Sequence, residues 1–186
     1  ALVFSMSLAV NAQQIGDIFE GGYVFQNDGV TVLVADLDDI GVMDWYDAID
    51  TVEVYTASGY SDWYLPNKDE LILLYNTLGQ DSENIFGFNI AGGTTSWYWS
   101  STEQNSSTTY GTQFSNGNSW GVGKDSERSI RVIRSICVND LNADGVCDII
   151  GCMDETACNF DDLATLDNGS CANFDECGVC NGDNSS

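Results

Sequence analysis

Every cysteine of this chain lies in its last third, and this distribution constrains the fold more than any other feature. The seven cysteines fall between Cys137 and Cys180, whereas the first 136 residues contain none. Such clusters form disulfides in oxidising compartments, where they stabilise modules with small hydrophobic cores. A chain of 186 residues is long enough for one ordinary domain and a smaller module. We therefore predict two parts that are stabilised in different ways.

The N-terminus is typical of a secreted protein. An apolar run ends with small residues at Val10 and Ala12, the pattern of a signal-peptidase site. A short buried N-terminal strand is the alternative interpretation. The run is too short for a transmembrane helix, and no other stretch of the sequence is long and apolar enough to span a bilayer. We expect a secreted or cell-surface protein.

The charge of the chain excludes several classes of function. Its formal net charge is −24, from 29 acidic and 5 basic residues, so nucleic acids and anionic membranes are not expected as partners. There is no histidine, which excludes histidine-based triads and histidine metal ligands. Close carboxylate pairs such as Asp38 with Asp39 arise by chance in so acidic a chain, so we do not expect an enzyme. The cluster of Lys124, Arg128, Arg131 and Arg134 is interpreted as structural rather than as an anion site.

Two helices are predicted in the first part of the chain. The first is short, with an apolar face that comprises Val42, Trp45 and Ile49. The second begins at Asn67, where Glu70 occupies the capping-box position three residues later, and it ends at Gly79. Its apolar stripe consists of Leu71, Leu74, Tyr75 and Leu78.

The rest of this part is predicted to form short strands and long loops. Residues 27–29 (Asn-Asp-Gly) indicate a tight hairpin turn between two apolar runs. Residues 84–136 are rich in Gly, Ser, Thr and Asn, and residues 129–136 (SIRVIRSI) are predicted to form one last strand. Strands combined with one or two helices indicate an α+β fold.

An acidic loop after the main domain has the spacing of a calcium site. Oxygen ligands at alternate positions, with Gly145 permitting the tight turn, match known calcium loops. The predicted Ca²⁺ ligands are Asp140, Asn142, Asp144, Val146 and Asp148. The loop lacks the bidentate glutamate of an EF-hand, because Gly151 takes that position, and it resembles the aspartate-rich loops of thrombospondin type 3 repeats. An acidic, solvated linker is the alternative.

The cysteines are interpreted as structural disulfides of unknown pairing. They are Cys137, Cys147, Cys152, Cys158, Cys171, Cys177 and Cys180. Cys177 and Cys180 form a C-x-x-C motif, but neither a redox pair nor a zinc site has further support in the sequence. Residues 151–185 resemble the "GC-D-ACN-DAT-DNGSC … DECGVC-GDNS" repeats found in tandem in bacterial surface proteins. This resemblance implies further repeats in the intact protein.

The main domain also carries a resemblance. The segments IGDIFEGGYVF, GYSDWYLPNKDEL and YWSST occur in order and are followed by a strand with Arg131 and Arg134. Over about residues 15–136 the chain resembles the C-type lectin-like domain at the C-terminus of bacterial collagen-like adhesins. The resemblance implies a C-type lectin-like fold and a role in adhesion or ligand recognition.

We predict that the chain recognises an extracellular glycan or protein through loops between its late strands. Trp97 and Trp99 are assigned mostly to the core, because a strand of such a domain buries one face. The predicted ligand-binding residues are Glu103, Gln104, Asn105, Asn116, Asn118 and Trp120. A building block of a surface appendage or matrix, which would self-associate, is the alternative function, and a carbohydrate-active enzyme is a third.

These inferences divide the chain into four segments. They are a residual signal peptide (1–12), the lectin-like domain (13–136), a calcium-binding loop and linker (137–150) and a truncated cysteine-rich repeat (151–186).

Overall fold

The structure is a computed structural model that shows an α+β chain with mostly strands, two short helices and three disulfides. The residues that it describes are 13–80, 83–141, 146–175 and 178–181. The predicted signal peptide lies outside these residues. The chain divides into two compact units: the first comprises Ala1–Asp28 and Val32–Ile136, and the second comprises Gly29–Thr31 and Cys137–Ser186.

One sheet of the fold has four strands in the order β1-β2-β3-β9. Its strands are β1 (Ile18–Phe19), β2 (Gly22–Asn27), β3 (Thr31–Asp36) and β9 (Ile133–Cys137). Strands β2 and β3 form the predicted antiparallel hairpin, in which Asn27 pairs with Val32. The connecting loop is longer than the predicted tight turn, and Gly29 adopts a φ of 86° that favours glycine.

The second sheet has five strands in the order β4-β8-β5-β6-β7. Its strands are β4 (Gly41–Met43), β5 (Trp97–Glu103), β6 (Thr108–Gln113), β7 (Ser119–Gly123) and β8 (Arg128–Ile130). Strands β5, β6 and β7 are antiparallel neighbours, whereas β5 and β8 run parallel. Strand β7 therefore forms one edge of this sheet.

The prediction of a single last strand over residues 129–136 is wrong. The segment forms two strands, since β8 ends at Ile130 and β9 begins at Ile133 in the other sheet. Residues 130–133 are all fully buried, so the segment lacks the alternation of a strand with one exposed face. The chain instead passes between the sheets at Arg131 and Val132.

Helix α1 (Trp45–Glu53) begins at Asp44, whose side chain accepts a hydrogen bond from the Asp47 amide. The residues that it buries are Trp45, Ala48 and Val52. Val42 lies instead on β4 with 43% of its surface exposed, so its assignment to the helix face is wrong.

Helix α2 (Lys68–Leu74) has the predicted capping box between Asn67 and Glu70. It continues as a π-helical turn over Tyr75–Gly79, so the predicted end at Gly79 is confirmed. The stripe residues Leu71, Leu74 and Leu78 are buried. They pack with side chains of both sheets, and this core cluster comprises Phe25, Leu33, Ala35, Leu71, Leu74, Leu78, Phe88, Tyr98, Phe114 and Ile133.

The second unit is held by covalent cross-links. Its disulfides join Cys137 to Cys147, Cys152 to Cys171, and Cys158 to Cys180. Two short strands, β10 (Ile150–Gly151) and β11 (Leu166–Asp167), pair in parallel. Cys177 lies outside the described residues. Among the residues that are described, no helix is long and apolar enough to cross a membrane.

Candidate functional site

Five of the six predicted binding residues lie at opposite ends of strand β6, and the sixth, Trp120, pairs with Gly111 within it. Residues 103–105 lie at the β5–β6 turn, whereas residues 116–118 lie at the β6–β7 turn. The six residues of β6 separate the two turns by about 17 Å at the rise of an antiparallel strand. The structure therefore does not bring the predicted set into one site.

At the β5–β6 turn, the predicted side chains are engaged with neighbouring groups. The Asn105 side-chain oxygen accepts hydrogen bonds from the Ser107 and Thr108 amides, each at 3.0 Å. The carboxylate of Glu103 forms an ion pair with Lys124, whose ammonium group lies on the ring of Trp45 at 4.2 Å. These contacts give this end of the hairpin a structural role.

At the other end of β6, several side chains converge on one face of the sheet. Trp97 pairs with Gln113, and Gly111 pairs with both Trp99 and Trp120. Directly paired residues point to the same face. The parallel pairing of β5 with β8 places Arg128 beside Trp97 on this face. We call this surface the tryptophan face and define it as Trp97, Gln113, Asn116, Asn118, Trp120 and Arg128.

The centre of the tryptophan face is a pair of indole rings. The ring centroids of Trp97 and Trp120 lie 5.2 Å apart, and the ring planes are inclined by 50°. Gly111 lies between the two tryptophans, and a Cβ atom there would lie 3.5 Å from the Trp97 ring and 3.1 Å from the Tyr98 carbonyl oxygen. Because Gly111 has no side chain, the two rings meet across β6.

Trp120 lies on the edge strand with 51% of its surface exposed, whereas Trp99 is fully buried. Trp97 is only half-buried. The prediction that Trp97 and Trp99 belong mostly to the core is thus confirmed for Trp99 and wrong for Trp97. Tyr98, on the opposite face, joins the core cluster.

The five tryptophans differ in their indole N–H groups. Three donate to backbone carbonyl oxygens: Trp45 to Ser100 at 2.9 Å, Trp63 to Ala57 at 3.2 Å, and Trp99 to Met43 at 3.0 Å. Within the part of the chain that the structure describes, the indoles of Trp97 and Trp120 have no such acceptor. The two tryptophans of the face therefore keep hydrogen-bond donors that a ligand can use.

Amide side chains surround the indole pair and orient one another. The Gln113 side-chain oxygen accepts a hydrogen bond from Asn116 at 3.1 Å, and the Gln113 amide nitrogen donates to Ser96 at 3.4 Å. The Asn116 side-chain oxygen accepts from the Asn118 backbone amide at 3.0 Å. The side-chain amides of Gln113 and Asn116 are therefore pre-oriented before any ligand arrives.

Arg128 is the cation of the tryptophan face. Its guanidinium lies 5.9 Å from the centroid of the Trp99 ring, and Nη1 donates to the Glu127 carbonyl oxygen at 2.6 Å. Its Nε is buried and has no partner among the described residues. Burial lowers the pKa of Arg128 below its ordinary value, and an arginine side chain stays positively charged at neutral pH.

Three other cations have structural roles, as the sequence interpretation predicts. Besides the Lys124–Glu103 pair, Arg131 binds Asp39 at 2.7 Å, and Arg134 binds Asp62 at 2.6 Å. Arg131 also donates to backbone carbonyl oxygens, which belong to Asp36, Leu37, Phe86 and Gly87.

The carboxylate of Asp39 is part of this buried network. It accepts hydrogen bonds from the Tyr98 hydroxyl at 2.6 Å and from the Asn89 amide at 3.1 Å. Burial raises the pKa of Asp39, and the nearby positive charge of Arg131 opposes this rise. The network ties loops to the sheet.

Two depressions lie elsewhere on the first unit. One, of about 520 Å³, lies on the opposite face of the sheet from the tryptophans and is lined by Tyr110, Thr102 and the start of α2. There the ammonium group of Lys68 lies 4.4 Å from the Tyr110 ring centroid. The other, of about 590 Å³, is lined by residues that include Ile49, Trp63 and Leu65.

Two of the five predicted calcium ligands, Asn142 and Asp144, lie outside the described residues. Of the others, Asp148 is buried, and its carboxylate accepts a hydrogen bond from the Leu141 amide at 2.6 Å. The Cys137–Cys147 disulfide closes a segment that contains every predicted ligand except Asp148. Among the residues that the structure describes, no three His, Cys, Asp or Glu side chains form a group that could hold a metal ion.

Residues 26–134 match the family described as the Lcl C-terminal domain, which is more than half of the 186 residues. The chain belongs to this family. The match includes every residue of the tryptophan face. No curated protein gives a significant match to the chain. Membership of the Lcl C-terminal domain family suggests a bacterial surface or adhesin-type protein, and three disulfides fit an extracellular one.

Three members of the tryptophan face were not predicted as binding residues from the sequence: Trp97, Gln113 and Arg128. Trp97 was assigned to the core on the assumption that both tryptophans of the strand share one buried face. One feature of the sequence does point to this site. Gly111 lies on β6, between the strands that carry Trp97 and Trp120, and a glycine there leaves room for their rings. That signal depends on the register, which the sequence alone does not specify.

Proposed function

We propose that this protein is a secreted or cell-surface recognition protein that binds an extracellular glycan or protein through the tryptophan face. The observation that carries the proposal is the Trp97–Trp120 pair, in which Trp120 on the edge strand β7 meets Trp97 on the central strand β5. A half-exposed tryptophan packed against a second, inclined ring offers the apolar aromatic surface that partners commonly contact.

The arrangement suits binding because it combines apolar and directional contacts. Two indole faces supply stacking area, and their free N–H groups supply donors. The amides of Gln113, Asn116 and Asn118 add donors and acceptors at the rim. A surface that is pre-oriented by its own hydrogen bonds loses little conformational entropy when a ligand binds.

We propose a binding role rather than a catalytic one. The carboxylate of Asp39, which sequence proximity pairs with Asp38, is already bound to Arg131 and Tyr98. A glycosidase needs two carboxyl groups that face the substrate across a cleft.

We also propose roles for the rest of the molecule, and these are the roles that the sequence predicts. The first unit is proposed to be a C-type lectin-like domain, and the second to be one of a series of cysteine-rich repeats. Ca²⁺ is proposed to bind the 140–148 loop through oxygen ligands, where it would neutralise carboxylates that otherwise repel one another. The buried Asp148 carboxylate and the disulfide that encloses the other predicted ligands support this role.

The test is a binding screen of the intact chain against immobilised extracellular glycans and host surface proteins. We expect at least one ligand whose binding is lost in Trp120→Ala and retained in Gln104→Ala, because the Gln104 side chain lies against Gly121, on the opposite face of the sheet from Trp120. Ligand binding that requires Gln104 but not Trp120 would move the site to the β5–β6 turn. Concentration-dependent assembly without any ligand would favour the structural building block instead.

A further inference from the structure

We infer that the ligand of the tryptophan face is a neutral glycan and that polyanionic glycans are rejected. The inference rests on the proposed function and adds the chemical class of the ligand. It is carried by three properties of the face: its charge, the geometry of its rings and the groups at its rim.

The first property is the distribution of positive charge. The chain has 5 lysine and arginine residues, all of them in described positions. Three pair with carboxylates, and these are Lys124, Arg131 and Arg134. Lys68 lies over Tyr110 on the opposite face of the sheet. Arg128 is the one cation of the tryptophan face as defined, and Lys124, whose side chain is only 4% exposed, is neutralised by Glu103.

One cation is too little for a polyanion. Sulfated or uronic-acid polymers carry charge on most of their sugar units, and binding them requires several basic groups along the path of the chain. Here the net charge of −24 creates a repulsive field over the whole molecule. Glu127, next to Arg128 in the sequence, is exposed and further reduces the attraction for an anion.

The second property is the geometry of the two rings. A pyranose ring presents a face of C–H groups that is similar in size to an indole, and it stacks on an accessible aromatic surface. Trp120 offers such a surface on the edge of the sheet, and Trp97 is inclined to it by 50°. One sugar can therefore stack on Trp120 while a neighbouring unit contacts Trp97.

The third property is the polar rim. Sugar hydroxyls are both donors and acceptors, so they pair best with groups that are also both. The side-chain amides of Gln113, Asn116 and Asn118 have this character, and the two free indole N–H groups add donors. Hydrogen bonds of this kind discriminate between epimers of a sugar, because a misplaced hydroxyl leaves a buried group unpaired.

A protein ligand is less well matched by the same surface. A stable protein interface buries about 800 Å² on each partner around an apolar centre that is shielded from water. Of the indole pair, only Trp120 lies on the edge strand and is half exposed, whereas Trp97 lies half-buried on the central strand, so only a small apolar area is available. Binding of a protein through this face would therefore count against a neutral glycan as its ligand.

The test uses calorimetric titration of the intact chain. The probes are neutral oligosaccharides of glucose, galactose, mannose and N-acetylglucosamine, and a sulfated oligosaccharide of the same length. We expect at least one neutral probe to bind, and Trp120→Ala to weaken that binding at least about tenfold. Trp120→Phe, which keeps an aromatic surface, is expected to lose less.

The matched control is Tyr46→Ala, because Tyr46 is exposed to a similar extent (48%) but lies on α1, outside the face. It should bind the neutral probe as the wild type does. Since the interaction is not ionic, its affinity should also change less than about twofold between 50 and 500 mM salt, whereas polyanion binding falls steeply. A cooperative thermal unfolding transition of Trp120→Ala shows that the variant is folded.

The outcomes separate the two proposals. Binding of the sulfated probe or of a host protein that is lost in Trp120→Ala overturns the neutral-glycan inference and leaves the recognition face in place. Ligand binding that is unaffected by Trp120→Ala overturns both. Neutral-probe binding that falls steeply with salt also overturns the inference, because it assigns the affinity to charge.

Discussion

The two units of this molecule are stabilised by opposite means. The first has a continuous core of aromatic and aliphatic side chains and contains every lysine and arginine of the chain. The second has three disulfides and few buried apolar residues, while large side chains such as Leu163 and Phe174 are exposed. No basic residue follows Arg134 to offset the acidic groups of the second unit.

The difference shows two ways in which parts of a strongly acidic chain can be stabilised. In the first unit, buried cations such as Arg131 pair with carboxylates and tie loops to the sheets. In the second, cross-links restrict the unfolded chain, so folding does not depend on a large core. The first arrangement leaves a rigid sheet that presents the tryptophans, whereas the second offers no comparable aromatic surface among its described residues.

The largest predicted effect is the loss of the disulfides. On reduction, we expect the second unit to unfold, because removing each native disulfide from a small module typically costs about 2–5 kcal/mol. The first unit has no cysteine before Cys137 and contains all 5 tryptophans, so its near-ultraviolet dichroism should persist. Amide exchange measured by mass spectrometry would follow both units together. Retained protection of residues 146–175 under reductant would contradict the account.

The next largest effect concerns the buried cation of the first unit. Arg131→Met leaves the Asp39 carboxylate buried without its partner, and breaking such a pair costs about 3–5 kcal/mol. Arg128→Met is the matched control, because Arg128 is half-buried and forms no ion pair among the described residues. Chemical denaturation followed by tryptophan fluorescence measures both. Equal destabilisation by the two variants would show that the Asp39 network is not important for stability.

A smaller effect is predicted for calcium. If the 140–148 loop binds Ca²⁺ with the affinity of extracellular modules, then 1 mM calcium stabilises the second unit by about 1 kcal/mol. Chelation should therefore lower the melting temperature of this unit and leave that of the first unchanged. Asp148→Asn should abolish the difference. The same melting curve with and without chelator would show that calcium does not stabilise the second unit.

The smallest effect is a pH dependence in the first unit. Hydrogen bonds from Arg134 lower the pKa of Asp62 below its ordinary value of 3.8. The ion pair thus stabilises the folded state above pH 3.8, and this contribution is lost as the pH falls through the lowered pKa. Because Asp62 is largely exposed, Asp62→Asn should cost less than about 1 kcal/mol at neutral pH. A difference from wild type that persists undiminished at pH 2 would count against the ion pair.

Local signals in the sequence predicted much of the fold. The capping box of Asn67 and Glu70 located α2, because it satisfies backbone donors within a few residues. The β2–β3 hairpin followed from a turn between apolar runs. The division of residues 129–136 between two sheets was missed, since it depends on burial on both sides of the chain, which is a tertiary property.

The candidate site was predicted only in part. Asn116, Asn118 and Trp120 lie on the tryptophan face, but residues 103–105 lie at the far end of β6. Sequence composition marks both turns as polar and cannot tell which one lies beside an exposed aromatic pair. The contact between Trp97 and Trp120 depends on strand register, which long-range pairing determines. The buried cations were interpreted as structural from the carboxylates around them, and the ion pairs confirm this interpretation.

The most direct test follows the five indole N–H signals in a nitrogen–proton correlation spectrum during titration with a ligand. Three of these indoles donate to backbone carbonyl oxygens inside the protein, whereas those of Trp97 and Trp120 have no such acceptor among the described residues. The account predicts that a bound ligand shifts the signals of Trp97 and Trp120 and leaves those of Trp45, Trp63 and Trp99 nearly unchanged. Saturable binding that shifts none of the five, or only the signals of buried indoles, would contradict a recognition site on the tryptophan face.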